Sequence, residues 1–155
     1  MTVEIGQEAP DFELTSQERE QVKLSSFRGR PVVLVFYPFT FTGICEAELC
    51  AIRDDPRAHA PEGAQILAIS CDSTPAQKVW SDQQGFDFPV LSDFWPHGEV
   101  ARRYGVFNEE RGCANRATFV IDADGKVVDA FHTDSLGTPR DVSRYGEAIA
   151  KLGVA

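Results

Sequence analysis

Two apolar segments of strand length constrain the fold of this chain more than any other feature. Residues 31–37 (PVVLVFY) and 65–71 (QILAISC) are continuous runs rich in β-branched and large apolar side chains. Such runs are typical of strands that are buried on both faces of a parallel sheet. Parallel neighbours need a long, right-handed crossover, and the intervening segment is long enough for a helix. The pattern therefore predicts an α/β fold built on a βαβ unit.

The remaining pattern extends this unit on both sides. Alternating residues at 11–15 and 21–24 predict an N-terminal β-hairpin, and the Asp124-Gly125 turn predicts a second hairpin over 118–131. A short edge strand is expected at 88–91, and helices at 46–55, 75–84, 98–104 and 139–152. This order predicts a thioredoxin-like fold, in which helices flank a central mixed sheet. At 155 residues and without a linker, residues 1–155 are expected to form a single domain.

The charge balance narrows the possible partners. The chain has 15 basic and 24 acidic residues, a net charge of −9. Nucleic acids and anionic membranes need a concentrated basic surface, so neither is expected as a partner. The apolar run at 31–36 is too short to span a bilayer, and the N-terminal residues do not resemble a secretion signal. A cytoplasmic location is therefore expected.

The number and spacing of the cysteines leave a catalytic role for one of them possible. Four cysteines are present, without a Cys-x-x-Cys pair, and the three histidines lie far apart in sequence. Neither a metal site nor another cofactor is therefore expected. Cytoplasmic cysteines are more often buried or catalytic than paired in structural disulfides.

Of the four cysteines, Cys45 is the strongest candidate for a reactive thiol. It lies where the loop that leaves the first buried strand turns into a helix, and free backbone N–H groups there favour a thiolate. Thr42, one turn earlier, can direct its hydroxyl towards the sulfur, and Pro38 can shield it from water. Taken alone, Cys45 could equally be a half-buried cysteine without a role.

These residues carry a family resemblance. Pro38-x-x-x-Thr42-x-x-Cys45 resembles the active-site motif of peroxiredoxins, and the opening at residues 6–12 (GQEAPDF) is typical of that family. The segments TGIC, LSDFWPHG, YGVFN and ANR, at 42–45, 91–98, 104–108 and 114–116, are similar to the AhpE-like subgroup. The resemblance implies a thioredoxin-like enzyme that reduces peroxides through Cys45. It also implies that Arg116 holds the thiolate and the peroxide oxygens, and that Glu48 orients the arginine. Without the resemblance, Arg116 would be predicted to be a surface residue and Glu48 a solvated carboxylate on a helix.

Cys50 departs from the AhpE-like pattern. Its spacing from Cys45 resembles the resolving cysteine of Q-type (bacterioferritin-comigratory) peroxiredoxins. Residues five apart on a helix have Cα atoms about 8–9 Å apart, whereas a disulfide needs less than about 7 Å. A Cys45–Cys50 disulfide therefore requires the helix to unwind. Cys50 could instead be a packing residue, Cys113 is a competing resolving cysteine, and Cys71 is expected in the core.

Three functions remain in competition. The first is a thiol peroxidase for hydrogen peroxide, alkyl hydroperoxides or peroxynitrite, in which Cys50 or an external thiol resolves Cys45. The reductant would be a thioredoxin, a mycoredoxin or a small thiol such as mycothiol. The second is a thiol–disulfide oxidoreductase, which the missing Cys-x-x-Cys pair argues against. The third is a non-enzymatic redox sensor or holdase. A homodimer is expected through Phe39 and Phe41, since apolar residues in a surface loop often mark an interface.

Overall fold

The computed structural model describes residues 3–152. Its strands are β1 (Glu13–Ser16), β2 (Gln21–Lys23), β3 (Val32–Phe36), β4 (Gln65–Ser70), β5 (Val90–Ser92), β6 (Phe107–Asn108), β7 (Cys113–Ala114), β8 (Ala117–Ile121) and β9 (Val127–His132). Its α-helices are α1 (Gly43–Asp54), α2 (Thr74–Gln84), α3 (Glu99–Arg103) and α4 (Ser143–Ala150). Seven strands form one sheet in the order β2-β1-β5-β4-β3-β8-β9, and β6 pairs with β7 separately.

The sheet is mixed, as the sequence predicts. β3 runs parallel to β4, with Val32 opposite Gln65 and Phe36 opposite Ile69, and α1 lies between them in the chain. β8 pairs antiparallel to β3 on its other side, and the N-terminal hairpin of β1 and β2 adds antiparallel strands at the far edge. The predicted α/β class and thioredoxin-like arrangement are confirmed.

Two apolar layers cover the faces of the sheet. One contains side chains of α3 and of alternate strand residues, among them Leu34, Phe36 and Tyr104. The other contains side chains of α1, α2 and α4, among them Leu49 and Trp80. Every residue of β3 is buried, because successive side chains point into opposite layers. This burial explains the continuous apolar run that the strand shows in sequence.

The strand predicted as an edge lies inside the sheet. β5 pairs in parallel with β4 and antiparallel with β1, so the edges of this sheet are β2 and β9. Within a central strand Pro89 could not donate a ladder hydrogen bond. The strand begins only after it, at Val90, so proline interrupts no pairing.

Two helices begin three or four residues away from their predicted starts. α1 begins at Gly43 rather than at residue 46, so that Cys45 lies within its first turn. α4 begins at Ser143 rather than at Pro139, because the Asp141 carboxylate accepts hydrogen bonds from the backbone N–H and the hydroxyl of Ser143. Residues 139–142 are therefore free to contact the candidate site. No helix among residues 3–152 is long and apolar enough to cross a membrane.

Candidate active site

The loop after β3 places Cys45 at the amino end of α1. Thr42, with extended backbone dihedrals, immediately precedes the helix. Phe41 adopts φ +69°, a left-handed conformation that bulky residues rarely take. The sulfur is buried, with 0% of the residue exposed, beside backbone N–H groups that lack helical partners. The position therefore favours negative charge on the sulfur.

Arg116 brings a permanent positive charge to this sulfur. Its Nη1 lies 3.2 Å from Cys45 Sγ and 2.8 Å from Glu48 Oε1. Its Nε donates to the backbone carbonyl of Leu136 at 2.7 Å. The residue immediately precedes β8, which pairs with β3, so the sheet itself sets the distance between arginine and cysteine. A planar donor held in this way can stabilise a thiolate and a developing oxygen anion together.

Glu48 bridges two buried arginines. Its Oε1 accepts from Arg116 Nη1 at 2.8 Å and from Arg140 Nη2 at 3.0 Å, while its Oε2 accepts the backbone N–H of Arg140 at 2.8 Å. Burial alone would raise the pKa of Glu48, but the charge and hydrogen bonds of Arg140 and the charge of Arg116 hold it below its usual value. The carboxylate is therefore ionised at neutral pH and fixes the position of Arg116.

Arg140 is a site residue that sequence reasoning missed. Its side chain is 2% exposed, and Nη1 donates to the carbonyls of Phe36 and Ala117, which face each other across β3 and β8. Arg140 also bonds to Glu48, which lies 92 positions earlier in the sequence. The sequence contained no signal for it, because residue 140 was placed inside a predicted helix.

Thr42 and Pro38 belong to the loop that leads from β3 to Cys45. The Thr42 hydroxyl donates to the carbonyl of Phe39 at 2.7 Å rather than to Cys45. Its lone pairs remain able to accept a hydrogen bond from a hydroperoxide O–H. Pro38 is buried beneath the loop.

Asp72, which was not singled out in the sequence, anchors the same loop. Its Oδ2 accepts the backbone N–H of Thr40 at 2.8 Å and the hydroxyl of Ser70 at 2.7 Å. The Thr40 hydroxyl in turn bonds the phenol of Tyr37 at 2.9 Å. Burial raises the pKa of Tyr37, so the phenol stays neutral in this network. In the sequence, the only indication of this role was that Asp72 is a polar residue just after β4, the parallel neighbour of β3.

The other three cysteines are poor nucleophiles in this conformation. All four cysteines are free. Cys50 is half-buried on α1, and burial raises the pKa of its thiol. Burial, together with the charge of Asp93, raises the pKa of Cys71 to about 12. Burial and the neighbouring Cys45 raise that of Cys113 to about 11. Cys71 is buried in the core, as predicted.

Exposed aromatic side chains lie in the loop before Cys45 and in a second loop that Asp72 connects to it. We call them the aromatic rim: Phe39, Phe41, Phe94 and Trp95, which are between 38% and 81% exposed. Asp72 joins the two loops that carry them, since its side chain accepts from Thr40 and its carbonyl accepts from the Ser92 hydroxyl at 2.6 Å. Among residues 3–152, no group of histidine, cysteine and carboxylate side chains could hold a metal ion.

Comparison with known proteins yields a consistent set of matches. A model of the AhpC/TSA family matches residues 5–130. The chain is 45% identical over 149 residues to alkyl hydroperoxide reductase E of Mycobacterium tuberculosis, covering 96% of this chain and 97% of the relative. It is 35% identical over 134 residues to peroxiredoxin Bcp of Bacillus subtilis, covering 83% and 84% of the two chains. The crystal structure of peroxidoxin BcpB from Mycobacterium tuberculosis superposes with a TM-score of 0.82 at 33% identity, covering 97% of each chain.

Proposed function

The chain belongs to the AhpC/TSA family of peroxiredoxins and is a thiol-dependent peroxidase, and we propose that the thiolate of Cys45 attacks the peroxide. The observation that carries the proposal is the guanidinium of Arg116, 3.2 Å from a buried sulfur in the first turn of a helix. Substrates would be hydrogen peroxide, alkyl hydroperoxides or peroxynitrite. The enzyme uses a peroxide and a thiol reductant.

The first step forms one bond and breaks one. The Cys45 thiolate attacks the terminal oxygen, so that an S–O bond forms while the O–O bond breaks. The departing alkoxide or hydroxide takes up a proton, leaving Cys45 as a sulfenic acid and releasing an alcohol or water. From peroxynitrous acid the leaving group would be nitrite. Negative charge moves from sulfur to the leaving oxygen, so donors that are already in place act mainly in the transition state.

Each neighbour has a separate part in this step. Arg116 stabilises both the thiolate and the oxygens, and the Thr42 hydroxyl oxygen accepts a hydrogen bond from the hydroperoxide O–H. Pro38 excludes water from the sulfur. Glu48 is a positioning residue, because it acts through Arg116, and Arg140 supports Glu48 in turn.

The second step is assigned to Cys50. Its thiolate attacks the Cys45 sulfur, an S–S bond forms, the S–O bond breaks, and the hydroxide leaves as water after protonation. α1 is continuous from Gly43 to Asp54, so its first turns must unwind before the two sulfurs can meet. An external thiol of the mycothiol or mycoredoxin type, or Cys113, would otherwise resolve the sulfenic acid. The oxidised enzyme would be reduced by a thioredoxin, a mycoredoxin or a small thiol.

Two further proposals concern the whole protein. A second copy of the chain is expected to cover the aromatic rim and form a homodimer. A cytoplasmic location fits the four free cysteines, which reducing compartments maintain.

Cysteine variants test both steps. One equivalent of hydrogen peroxide should give a Cys45–Cys50 peptide in wild-type protein, detected by mass spectrometry. The Cys50→Ser variant should instead retain a dimedone-reactive sulfenic acid at Cys45, and Cys71→Ser, the matched control, should behave as wild type. A disulfide that survives Cys50→Ser, or sulfenic acid that persists in wild type with Cys50 still alkylatable, would refute the Cys50 assignment. Undiminished turnover in Cys45→Ser would refute the first step.

A further inference from the structure

A polar contact joins α1 to the end of α2 on the side of α1 away from Glu48. Glu46, Cys50 and Arg53 recur at helical spacing on one face of α1, while Glu48 lies about 200° around the helix from Glu46. All three meet Gln84, the last residue of α2. The peroxidase step described above does not use this face.

Gln84 contacts all three residues with different groups. Its side-chain Nε2 donates to Glu46 Oε1 at 3.0 Å, and its Oε1 accepts from Cys50 Sγ at 3.5 Å. Its backbone carbonyl accepts from Arg53 Nη1 at 2.6 Å. The amide thus spans one turn of α1, from the residue that follows Cys45 to the cysteine assigned to resolve it.

Trp80 strengthens the same contact. Its ring is fully buried, and its Nε1 donates to Glu46 Oε1 at 3.1 Å. An indole N–H can only donate, and a buried donor that loses its partner is destabilising. Unwinding the first turns of α1 withdraws Glu46 from Trp80 and from Gln84 together.

We propose that Gln84, supported by Trp80, is a latch that controls how fast the first turns of α1 unwind and therefore how long the Cys45 sulfenic acid persists. The inference rests on the proposed pairing of Cys45 with Cys50. While the latch is closed, the helix geometry keeps the two sulfurs apart. When it opens, the same movement frees the resolving cysteine and removes its hydrogen-bond acceptor.

The closed latch also suppresses the chemistry of Cys50. The thiolate is the nucleophile, and burial raises the pKa of Cys50, so the closed form holds it as a thiol that donates to Gln84. The waiting sulfenic acid can meet an external thiol or a second peroxide, which adds an oxygen and yields sulfinic acid. The latch therefore sets the division among disulfide formation, external resolution and overoxidation.

Gln84→Ala in the full chain tests the proposal, with the exposed neighbour Gln83→Ala as matched control. The backbone carbonyl that accepts from Arg53 remains in both variants. In reduced protein we expect the amides of residues 46–50 to exchange hydrogen about tenfold faster in Gln84→Ala than in Gln83→Ala, since a hydrogen bond to a charged group is lost. In quenched-flow experiments we expect the Cys45–Cys50 disulfide to form about tenfold faster. The rate of the first oxidation should not change, and less sulfinic acid should accumulate.

The outcomes separate the latch from the proposed function. Equal amide exchange, or equal disulfide formation, in the two variants would overturn the latch while leaving the Cys50 assignment intact. Faster exchange without a Cys45–Cys50 disulfide in any variant would overturn both. Gln84→Glu, which preserves size and places a second carboxylate against Glu46, should open the latch in the same direction and replaces Gln84→Ala if that variant does not fold.

Discussion

The Thr42 hydroxyl donates one hydrogen bond within the protein and can still accept another. Its hydroxyl proton is engaged by the carbonyl of Phe39 at 2.7 Å, which turns the oxygen lone pairs towards other donors. A hydroperoxide O–H is such a donor. The residue is therefore expected to bind the substrate rather than to activate the sulfur directly.

We predict that Thr42→Val slows the oxidation of Cys45 by about a hundredfold, since loss of one preorganised polar partner typically has an effect of this order. Thr42→Ser, the matched control, keeps the hydroxyl and should retain most of the rate. Competition with a peroxidase of known rate measures both variants. Equal rates for the valine and serine variants would show that the hydroxyl has no part in the step.

At the level of residues, the sequence indicated those of one short motif directly, and Arg116 and Glu48 through the family resemblance, but Asp72 and Arg140 were missed. Pro38, Thr42 and Cys45 lie within eight positions, so their spacing alone indicated a common site. Asp72 and Arg140 reach that site from other elements. The position of Asp72 after a buried parallel strand was a weak signal, and the neighbours of Arg140 in sequence gave none. Their part depends on which strand ends meet, which only the folded sheet determines.

At the level of elements, Glu48 joins α1 to the segment before α4. Its pKa is held below the usual value of 4.5 by Arg140 and Arg116, despite burial. A carboxyl group with a lowered pKa in the folded state stabilises that state fully above its unfolded pKa. This stabilisation is lost as the pH falls from about 4.5 through the folded value.

We therefore predict that Glu48→Gln lowers the free energy of unfolding by about 3 kcal/mol at pH 7, because it leaves buried arginine charge unpaired. The difference from wild type should shrink below pH 4.5. Urea unfolding at several pH values measures it, with Asp54→Asn, on the exposed end of the same helix, as the control that should change little. A difference that stays constant with pH would contradict this account of Glu48.

Strands and helices were predictable where the local sequence carried a strong pattern. The buried strands β3 and β4 and the hairpin of β8 and β9 carry strong local patterns, and the structure contains them close to the predicted limits. The place of β5 inside the sheet could not be predicted locally, because its neighbour β1 comes from the distant N-terminal hairpin. The start of α4 depends on Asp141 and on the contact of Arg140 with Glu48, which no local pattern reveals.

At the scale of the whole molecule, the aromatic rim is unusual because its large apolar side chains are exposed to solvent. Trp95 is 81% exposed and Phe41 53% exposed. Large apolar side chains that are exposed in neighbouring loops often mark an interface. We predict that Trp95→Asp shifts the protein from dimer to monomer in analytical ultracentrifugation.

The exposed Val142→Asp, on the segment before α4, is the control for that experiment and should leave the assembly unchanged. Folding of both variants is expected to be intact, since each side chain is largely in solvent. A Trp95→Asp protein that sediments as wild type would show that the rim is not the dimer interface.

We propose that Cys45 is a peroxide-reducing cysteine that Arg116 activates. The test is a stopped-flow measurement of Cys45 oxidation by hydrogen peroxide, in a variant whose other three cysteines are replaced by serine. We predict a rate more than 10³-fold above that of a free cysteine thiol, falling by about 10²-fold or more on Arg116→Met. A rate equal to that of free cysteine, or one that Arg116→Met leaves unchanged, would contradict the claim.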